Sequence, residues 1–259
     1  MDDITAVEIF KNTEVPWVLF IHAIGGSSRT WKKQTDAFAA DYNLLLAELH
    51  GARGCEPLTM ESVCAQLFEL LNERGIKRVY IVSLCAGSLI ALAFAALYPN
   101  MVGGMVMASG ILAFDRMEKY GITLFQFLKK TTPFTLACHI MAWLIMPGKR
   151  HLKSRRIFIR EAHKMGHNEF CRWVDFFPAM LDNGSYIAQL NSLKNTPHSL
   201  YVMGSGDKRF LPLTRQFIGR VNNARIEVLP GCGHICIMEQ ADLFNMTALN
   251  FIGTLTKRI

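Results

Sequence analysis

The sequence lacks several features that would place it directly in a functional class. Its 259 residues contain no internal repeat, no low-complexity tract and no recognised nucleic-acid-binding motif. The chain begins Met1 Asp2 Asp3, without the cationic and apolar stretch of a secretory signal, and its seven cysteines form no regular framework. We therefore expect a cytoplasmic chain in a reducing compartment, without disulfides and without a nucleic-acid partner.

The sequence also lacks a hydrophobic run long enough to cross a membrane at its most obvious apolar segment. Phe134 to Met146 is nearly all apolar, but a bilayer takes about 20 apolar residues and His139 interrupts this stretch. We interpret the segment as a buried helix that lines a substrate pocket. The alternative is an interfacial helix, with Trp143 and the adjoining basic residues at lipid headgroups, and this membrane contact is the less favoured interpretation.

What the sequence contains is a regular alternation of short apolar runs and helical stretches. With 51% hydrophobic and 19% charged residues, the chain is long enough for one large core with an insertion. Continuous apolar runs are typical of parallel strands covered on both faces, and their alternation with helices indicates βαβ units. Strands are predicted at 17–21, 44–47, 79–84, 101–108, 198–203 and 225–229, and helices at 30–39, 60–74, 86–98, 212–221 and 236–255.

Cys85 lies where an apolar strand, 79–84, turns sharply into a helix. Ser83 and Gly87 flank it in a small-x-nucleophile-x-small pattern. Small side chains are needed there because the backbone at the nucleophile is strained and the helix packs closely against the strand it leaves. The pattern indicates a nucleophile elbow that carries sulfur, and the alternative is a buried structural cysteine at an ordinary turn.

Two further candidate residues follow apolar strands later in the chain. Asp207 comes after the strand at 198–203, and His234 after the strand at 225–229. Nucleophile, acid and base therefore appear in the order Cys85, Asp207, His234, which is the α/β-hydrolase order. The sequence resembles the α/β-hydrolase superfamily over about residues 15–112 and 197–256, with cysteine where most members carry serine. The match extends to two loops that follow strands, His22–Ser28 and Glu48–Gly54.

The resemblance implies a fold and a domain division. The expected fold is α/β, an α/β-hydrolase fold with a mostly parallel central sheet, helices on both faces and an inserted helical lid. Residues 1–112 and 197–259 would form the core and 113–196 the cap. The family begins with an antiparallel hairpin, for which only about residues 5–11 are available here.

The resemblance also implies roles in catalysis. His234 would accept the proton of Cys85, and Asp207 would hold the other ring nitrogen of His234. The backbone amides of Ala86 and Ile24 would form the oxyanion hole, although Ala23 replaces the glycine that usually follows the loop histidine. Asp115, nearer the end of the preceding strand, is the rival acid.

We expect no cofactor and no metal, because the Cys232, His234, Cys236 spacing is not a common zinc pattern.

The predicted cap carries the whole charge excess of the chain. Residues 115–195 contain 13 lysines and arginines against 6 acids, a net charge of +7, and the remainder is formally neutral. A basic run within it is either a solvated helix face or a docking surface for an anionic partner, such as an acyl or peptidyl carrier protein, a coenzyme A phosphate or a lipid headgroup. The run includes Lys149, Arg150, Lys153, Arg155, Arg156 and Arg160.

These observations predict an acyl-transfer enzyme that works through a Cys85 acyl-thioester. It would be a thioesterase-like hydrolase or an acyltransferase, and its substrate a small-molecule or carrier-bound acyl thioester. A lyase or isomerase on the same scaffold is a further possibility. The alternatives are a non-catalytic binding scaffold of the hydrolase fold, and a serine-type esterase or thioesterase whose nucleophile has been replaced by cysteine.

Overall fold

Seven strands form one sheet in the computed structural model, which describes residues 4–49, 58–111, 116–129, 131–146, 148–181, 184–194 and 196–257. The strand order within this part of the chain is β1-β3-β2-β4-β5-β6-β7. β1 pairs antiparallel with β3, and all other neighbours are parallel. The strands are β1 Thr5–Ile9, β2 Trp17–Ile21, β3 Asn43–Glu48, β4 Val79–Leu84, β5 Val102–Ala108, β6 Ser199–Gly204 and β7 Ala224–Leu229.

The central strands are buried on both faces, as their continuous apolar runs predict. In β2, Val18 and Phe20 pack into one hydrophobic cluster, whereas Leu19 and Ile21 pack into the other. The expectation of two covered faces is wrong for β7, where exposed and partly buried side chains alternate up to the buried Leu229. β7 is the edge of the sheet, and its exposed positions are the polar ones, Arg225 and Glu227.

Helices cover both faces of the sheet. Side chains of α1 and α11 join the Val18 cluster, and those of α2 and α3 join the Leu19 cluster. Outside the predicted cap, the helices are α1 Lys32–Ala39, α2 Met60–Glu73, α3 Gly87–Leu97, α9 Phe210–Ile218, α10 Cys236–Glu239 and α11 Ala241–Thr256.

Three of the predicted helices differ from the structure by more than one residue. A short 3-10 turn, Ser28–Trp31, precedes α1. The helix predicted at 212–221 begins at Phe210, because a proline such as Pro212 is tolerated in the first turn of a helix. The helix ends before Gly219. The helix predicted at 236–255 is divided in two at Gln240, whose backbone is not helical (φ −134°, ψ 55°).

Five helices lie between β5 and β6 in the described part of the chain, and we call them the insertion. α5 is not the buried helix that the sequence predicts: Ala137, Cys138 and Met141 are buried, but Leu136 and Trp143 are more than half exposed. No helix among the described residues is long and apolar enough to cross a membrane. The five are α4 Arg116–Leu128, α5 Phe134–Ile145, α6 Leu152–Met165, α7 His167–Leu181 and α8 Gly184–Ser192.

Gly204 at the end of β6 provides a test of this packing. A Cβ at Gly204 would lie 2.1 Å from the carbonyl oxygen of Gly233 and 2.6 Å from that of Cys232. Because both atoms belong to the backbone, we expect Gly204→Ala to lower the free energy of unfolding by about 1–3 kcal/mol.

Chemical denaturation would measure the effect, with Gly253→Ala as the matched control. Gly253 lies inside α11, and apart from its neighbours in that helix no described atom lies within 4 Å of its would-be Cβ, so this variant should gain about 0.5–1 kcal/mol from helix propensity. Equal effects of the two substitutions would show that the strand end is not tightly packed.

Candidate active site

The turn between β4 and α3 holds Cys85 in a strained backbone conformation. Its φ is +53°, which a residue with a side chain rarely adopts, and its amide donates to the carbonyl of Ala108 (2.9 Å). The hydroxyls of Ser83 and Ser88 are buried and lie 3.2 Å from each other. The two serines therefore bond each other within the elbow, while Cys85 is partly exposed.

Gly87 brings the elbow against the loop that follows β2. A Cβ at this position would lie 2.6 Å from the carbonyl oxygen of His22 and 2.8 Å from that of Ile21. Only glycine fits such an approach without moving the backbone. Gly87, two residues after Cys85, thus sets the distance between the elbow and the loop predicted to form the oxyanion hole.

Cys85, His234 and Asp207 lie in one hydrogen-bonded row. His234 Nε2 is 3.4 Å from Cys85 Sγ, and His234 Nδ1 is 2.7 Å from Asp207 Oδ2. His234 and Asp207 are almost completely buried. The second carboxylate oxygen, Asp207 Oδ1, accepts the amide of Phe210 (3.0 Å). The structure thus brings together the three residues that the sequence predicts as nucleophile, base and acid.

Burial and the neighbouring charges shift the pKa values of His234 and Asp207 in opposite directions. Burial alone would lower the pKa of His234, but Asp207 and then Cys85 favour the imidazolium and raise it to about 10. Burial alone would raise the pKa of Asp207, but the charge and hydrogen bond of His234 outweigh it, and the pKa lies below its usual value. The row therefore stabilises a protonated His234 next to an ionised Asp207.

The acid and the histidine are placed by two loops that touch. The amide of Gly206 donates to the carbonyl of Cys232 (2.8 Å), one residue before Asp207 and two before His234. The close approach of Gly204 to the same loop holds the ends of β6 and β7 together. Parallel neighbouring strands end at the same edge, so the residues that follow them meet there.

The loop after β2 is fixed by His22 and Glu48. The buried His22 donates from Nδ1 to the carbonyl of Ala23 (2.8 Å) and accepts the amide of Leu49 on Nε2 (3.1 Å). Glu48 accepts the amide of Ser28 (3.0 Å). The loop that contains Ile24 is therefore tied to the end of β3, next to the elbow.

A pocket opens over Cys85 between this loop and the insertion. Its walls are mostly apolar, and α6 contributes one helical face with the spacing i, i+3, i+4, i+7. The lining residues are Ala23, Ile24, Gly25, Gly26 and Thr30 from the loop; Leu84 and Cys85 from the elbow; Met146, Ser154, Ile157, Phe158 and Glu161 from the insertion; and His234, Ile235 and Met238.

Comparison with known proteins agrees with this geometry. The model of the alpha/beta hydrolase family matches residues 18–247. The chain belongs to the alpha/beta hydrolase family. The predicted α/β-hydrolase fold is confirmed, since the matched residues run from β2 into α11 and include the whole row of Cys85, Asp207 and His234.

Relatives of this hydrolase extend over nearly the whole chain. A 2-hydroxy-6-oxononadienedioate/2-hydroxy-6-oxononatrienedioate hydrolase from Pseudomonas sp. is 27% identical and covers 91% of this chain and 87% of its own length. A carboxylesterase structure from Nitrososphaera gargenis has a TM-score of 0.79 at 17% identity, covering 100% of this chain and 97% of its own. The enol-lactonase of Burkholderia xenovorans LB400 has a TM-score of 0.77 at 17% identity, covering 96% of both chains.

One of the predicted basic docking residues, Arg155, does not lie on the surface of the hydrolase. Arg155 is buried, donates to the carbonyls of Met146 and Gly148 (both 2.6 Å) and lies 4.5 Å from the ring centroid of Trp143. It holds α6 to the end of α5 and is not available to an anionic partner. Lys149 and Arg156 are exposed, and the side chains of Arg150 and Lys153 lie outside the described residues.

Other predictions fall partly outside the described structure. Asp115, the rival acid, and residues 50–54 of the second glycine-rich loop are not among the described residues. Ile24 lines the pocket and Ala86 immediately precedes α3, and the role of their amides stays a prediction.

The cysteines near His234 act as hydrogen-bond donors rather than as a cluster of ligands. Cys232 donates to the carbonyl of Leu229 (3.6 Å) and Cys236 to that of Val202 (3.6 Å). Burial raises the pKa of Cys232 to about 11 and that of Cys236 to about 12, so both thiols stay protonated at neutral pH. No group of three or more metal-ligating side chains occurs in the described part of the chain.

Two site residues were missed by sequence reasoning, His151 and Glu161. The His151 ring is buried and edge-on to His234, with 6.1 Å between the ring centroids, and its Nδ1 has no hydrogen-bond partner among the described residues. Burial lowers the pKa of His151, so the ring is neutral. Glu161 belongs to the pocket-facing side of α6, which the spacing of Ser154, Ile157 and Phe158 could have indicated. No local pattern marks His151, because only the tertiary fold brings it to His234.

The pKa of His234 predicts how Asp207 affects the reactivity of Cys85. Replacing Asp207 by asparagine removes the largest influence that raises this pKa, so transfer of the Cys85 proton to His234 becomes less favourable. We expect Asp207→Asn to slow alkylation of Cys85 by iodoacetamide about tenfold or more near pH 6. At about pH 10 and above, His234 of the parent protein also loses its proton, and the two rates should converge.

Alkylation followed by mass spectrometry across this pH range would give both profiles, and Cys85→Ala would give the background from the other cysteines. Superimposable profiles for the parent and Asp207→Asn proteins would show that Asp207 does not support the imidazolium.

The unpartnered nitrogen of His151 predicts an effect on stability. A buried polar atom without a partner costs about 1–3 kcal/mol, and phenylalanine keeps a ring against His234 without that atom. We expect His151→Phe to leave the free energy of unfolding unchanged or to raise it by about 1 kcal/mol. The control is His139→Phe, at an exposed histidine bonded to the carbonyl of Thr135 (2.8 Å), where little change is expected. A loss of stability confined to His151→Phe would contradict the unpaired state of its ring.

Proposed function

We propose that this hydrolase cleaves an ester or thioester through an acyl-thioester on Cys85. The observation that carries the proposal is the 3.4 Å contact between His234 Nε2 and Cys85 Sγ at the wall of an apolar pocket. Nucleophilic catalysis requires a nucleophile within reach of a base that a third group orients, and Asp207 is such a group at 2.7 Å from His234 Nδ1.

The first half of the proposed reaction acylates Cys85. His234 holds the proton taken from the Cys85 thiol, the resulting thiolate attacks the carbonyl carbon, and the carbonyl electrons move to oxygen. The amides of Ala86 and Ile24 would bind this oxyanion. When the carbonyl re-forms, the leaving alkoxide or thiolate departs with the proton from His234. The acyl group is then bound to Cys85 as a thioester.

The second half releases the acyl group to an acceptor. His234 takes a proton from water as the water attacks the thioester, and the returning proton restores the Cys85 thiol and frees a carboxylic acid. An amine or thiol in place of water gives acyl transfer. The insertion acts as the lid in this proposal: Met146, Ile157 and Phe158 restrict water at the acyl group. Hydrolysis and transfer thus differ only in which molecule, water or an amine or thiol, attacks the same acyl-enzyme.

The proposed donors are small-molecule or carrier-bound acyl thioesters. Exchange between two thioesters is nearly isoenergetic, whereas loading a serine from a thioester is downhill. A cysteine nucleophile therefore suits reversible acylation by such donors. Simple esters remain substrates of the same chemistry, since only the leaving group differs.

A second candidate function comes from the relatives. The Pseudomonas sp. hydrolase is named for a dicarboxylate and is 27% identical to this chain over 251 aligned residues. Hydrolysis of such a keto acid would use the same Cys85, His234 and Asp207. The pocket argues for the ester instead: its described lining contains the carboxylate of Glu161 and neither lysine nor arginine to bind a substrate dianion.

Intact-mass spectrometry would test the proposal. The protein, Cys85→Ala and Cys85→Ser would be incubated with a panel of acyl-coenzyme A thioesters, acyl-carrier thioesters and nitrophenyl esters. We expect an added acyl mass on the parent protein, released by hydroxylamine and absent from Cys85→Ala. The lifetime of the adduct in water, with and without an added amine or thiol, separates hydrolysis from transfer.

The Cys85→Ser variant distinguishes the nucleophiles. If cysteine is the natural nucleophile, acylation by thioesters should fall by about 10²-fold or more, because the serine hydroxyl is the weaker nucleophile here. Higher activity of the serine variant would indicate a serine-type esterase. Absence of an adduct and of ester hydrolysis for every donor would favour a binding scaffold, and turnover of the keto acid alone would favour the second candidate.

A further inference from the structure

The outer side of helix α4 exposes an apolar face that nothing in the described structure covers. Tyr120, Leu124, Phe127 and Leu128 are 74%, 60%, 77% and 48% exposed. Their spacing of i, i+4, i+7 and i+8 places them within an arc of about 100° on one side of the helix. The opposite side of α4 packs inward through the buried Ile122 and Phe125. α4 is therefore an amphipathic helix with a second, unpartnered apolar face.

Helix α5, next to α4, carries two further exposed apolar side chains. α5 packs against α4, and its exposed Leu136 and Trp143 lie seven residues apart on the same side of the helix. Ten large hydrophobic side chains are exposed in the described part of the chain, and seven of them belong to the insertion. We call the side chains of Tyr120, Leu124, Phe127, Leu128, Leu136 and Trp143 the outer apolar face.

The sequence that carries the outer apolar face has no acidic residue. Residues 120–146 contain neither aspartate nor glutamate, and of their two lysines Lys129 is buried and paired with Asp175. Beyond α5, Lys149, Arg156 and Arg160 are exposed at the start and middle of α6. An anionic partner would meet no carboxylate along the sequence of α4 and α5 from Tyr120 onward.

Three carboxylates elsewhere in the described insertion bind basic side chains. Glu161 accepts from Arg160 and Lys164, Glu169 lies 3.6 Å from Arg172, and Asp175 accepts from the buried Lys129. These pairs do not reduce the excess of basic residues, which is +7 over residues 115–195. The outer apolar face therefore belongs to a segment of the chain with a net positive charge.

We propose that the insertion binds the surface of an anionic lipid bilayer through the outer apolar face. Aromatic residues such as Tyr120, Phe127 and Trp143 favour the interface between headgroups and acyl chains, and lysine and arginine add attraction to anionic lipids. No described helix can cross the membrane, so α4 and α5 lie along its surface. A second copy of the chain fits less well, because two surfaces of the same charge repel each other.

This docking would connect the bilayer to the site. The end of α5 and the inner face of α6 supply Met146, Ile157 and Phe158 to the pocket over Cys85. A lipophilic acyl donor dissolved in the bilayer would then be concentrated beside the helices that line that pocket. The docking itself does not depend on the reaction at Cys85.

Vesicle co-sedimentation with the Cys85→Ala protein would test the proposal without interference from lipid cleavage. The vesicles would be pure phosphatidylcholine, or phosphatidylcholine with about a third of phosphatidylglycerol, at low and high salt. We expect binding to the anionic vesicles that weakens with salt. Phe127→Glu should reduce it about tenfold or more, since a large apolar side chain no longer enters the membrane, and Phe127→Trp should retain it.

The matched control is Met246→Glu on α11. Met246 is 54% exposed and apolar but lies outside the insertion, so its substitution should leave vesicle binding within about twofold of the parent. Far-ultraviolet circular dichroism would show that the variants keep their fold, as expected for changes at exposed positions.

Three results would overturn the proposal. One is equal binding to neutral and anionic vesicles, or to neither. Another is binding by Phe127→Glu as tight as that of the parent. The third is a dimer in light scattering that Phe127→Glu dissociates, which would assign the outer apolar face to a second copy of the chain. Because all measurements use Cys85→Ala, none of them depends on the proposed acyl-enzyme.

Discussion

The contact of Gly87 with the carbonyl oxygens of Ile21 and His22 joins the two halves of the site. The elbow after β4 and the loop after β2 come from neighbouring parallel strands, but strand pairing alone does not set the separation of their ends. With a would-be Cβ 2.6 Å from the carbonyl of His22, the approach is as close as a backbone without a side chain allows. The strained φ of Cys85 is tolerated because this packing holds the turn from both sides.

The buried pair of Asp207 and His234 depends on that same edge of the sheet. A buried charge is stable only when it is paired and fully hydrogen-bonded, and Asp207 meets this condition with His234 on one oxygen and the amide of Phe210 on the other. The Phe210 ring also packs on His234, 4.9 Å between centroids. The acid thus organises both the imidazole and the start of α9, so its role in the fold and its proposed role in catalysis use the same atoms.

The sequence predicted the parts of the site that strands and glycines position. Cys85, Asp207 and His234 each follow an apolar run, and the ends of neighbouring parallel strands meet at one edge, so their meeting could be expected from order alone. The half-exposed α5, the buried Arg155 and the contact of His151 with His234 could not. Each depends on how the insertion packs, and helical patterning does not say which of two apolar faces turns inward. α5 and α4 both carry apolar residues on two sides, so the sequence alone leaves that choice undecided.

The charge distribution follows the division between core and insertion. The core, formally neutral outside residues 115–195, places the reactive atoms within hydrogen-bond distance, where small errors of position would be costly. The insertion provides the pocket wall through Ser154, Ile157, Phe158 and Glu161, while Arg156 and Arg160 of the same helix face solvent. A single helix therefore separates the pocket over Cys85 from the basic exterior. Substitutions of Ser154, Ile157 and Phe158 should alter which substrate fits the pocket, whereas substitution of Arg156 should alter what the surface of the protein binds.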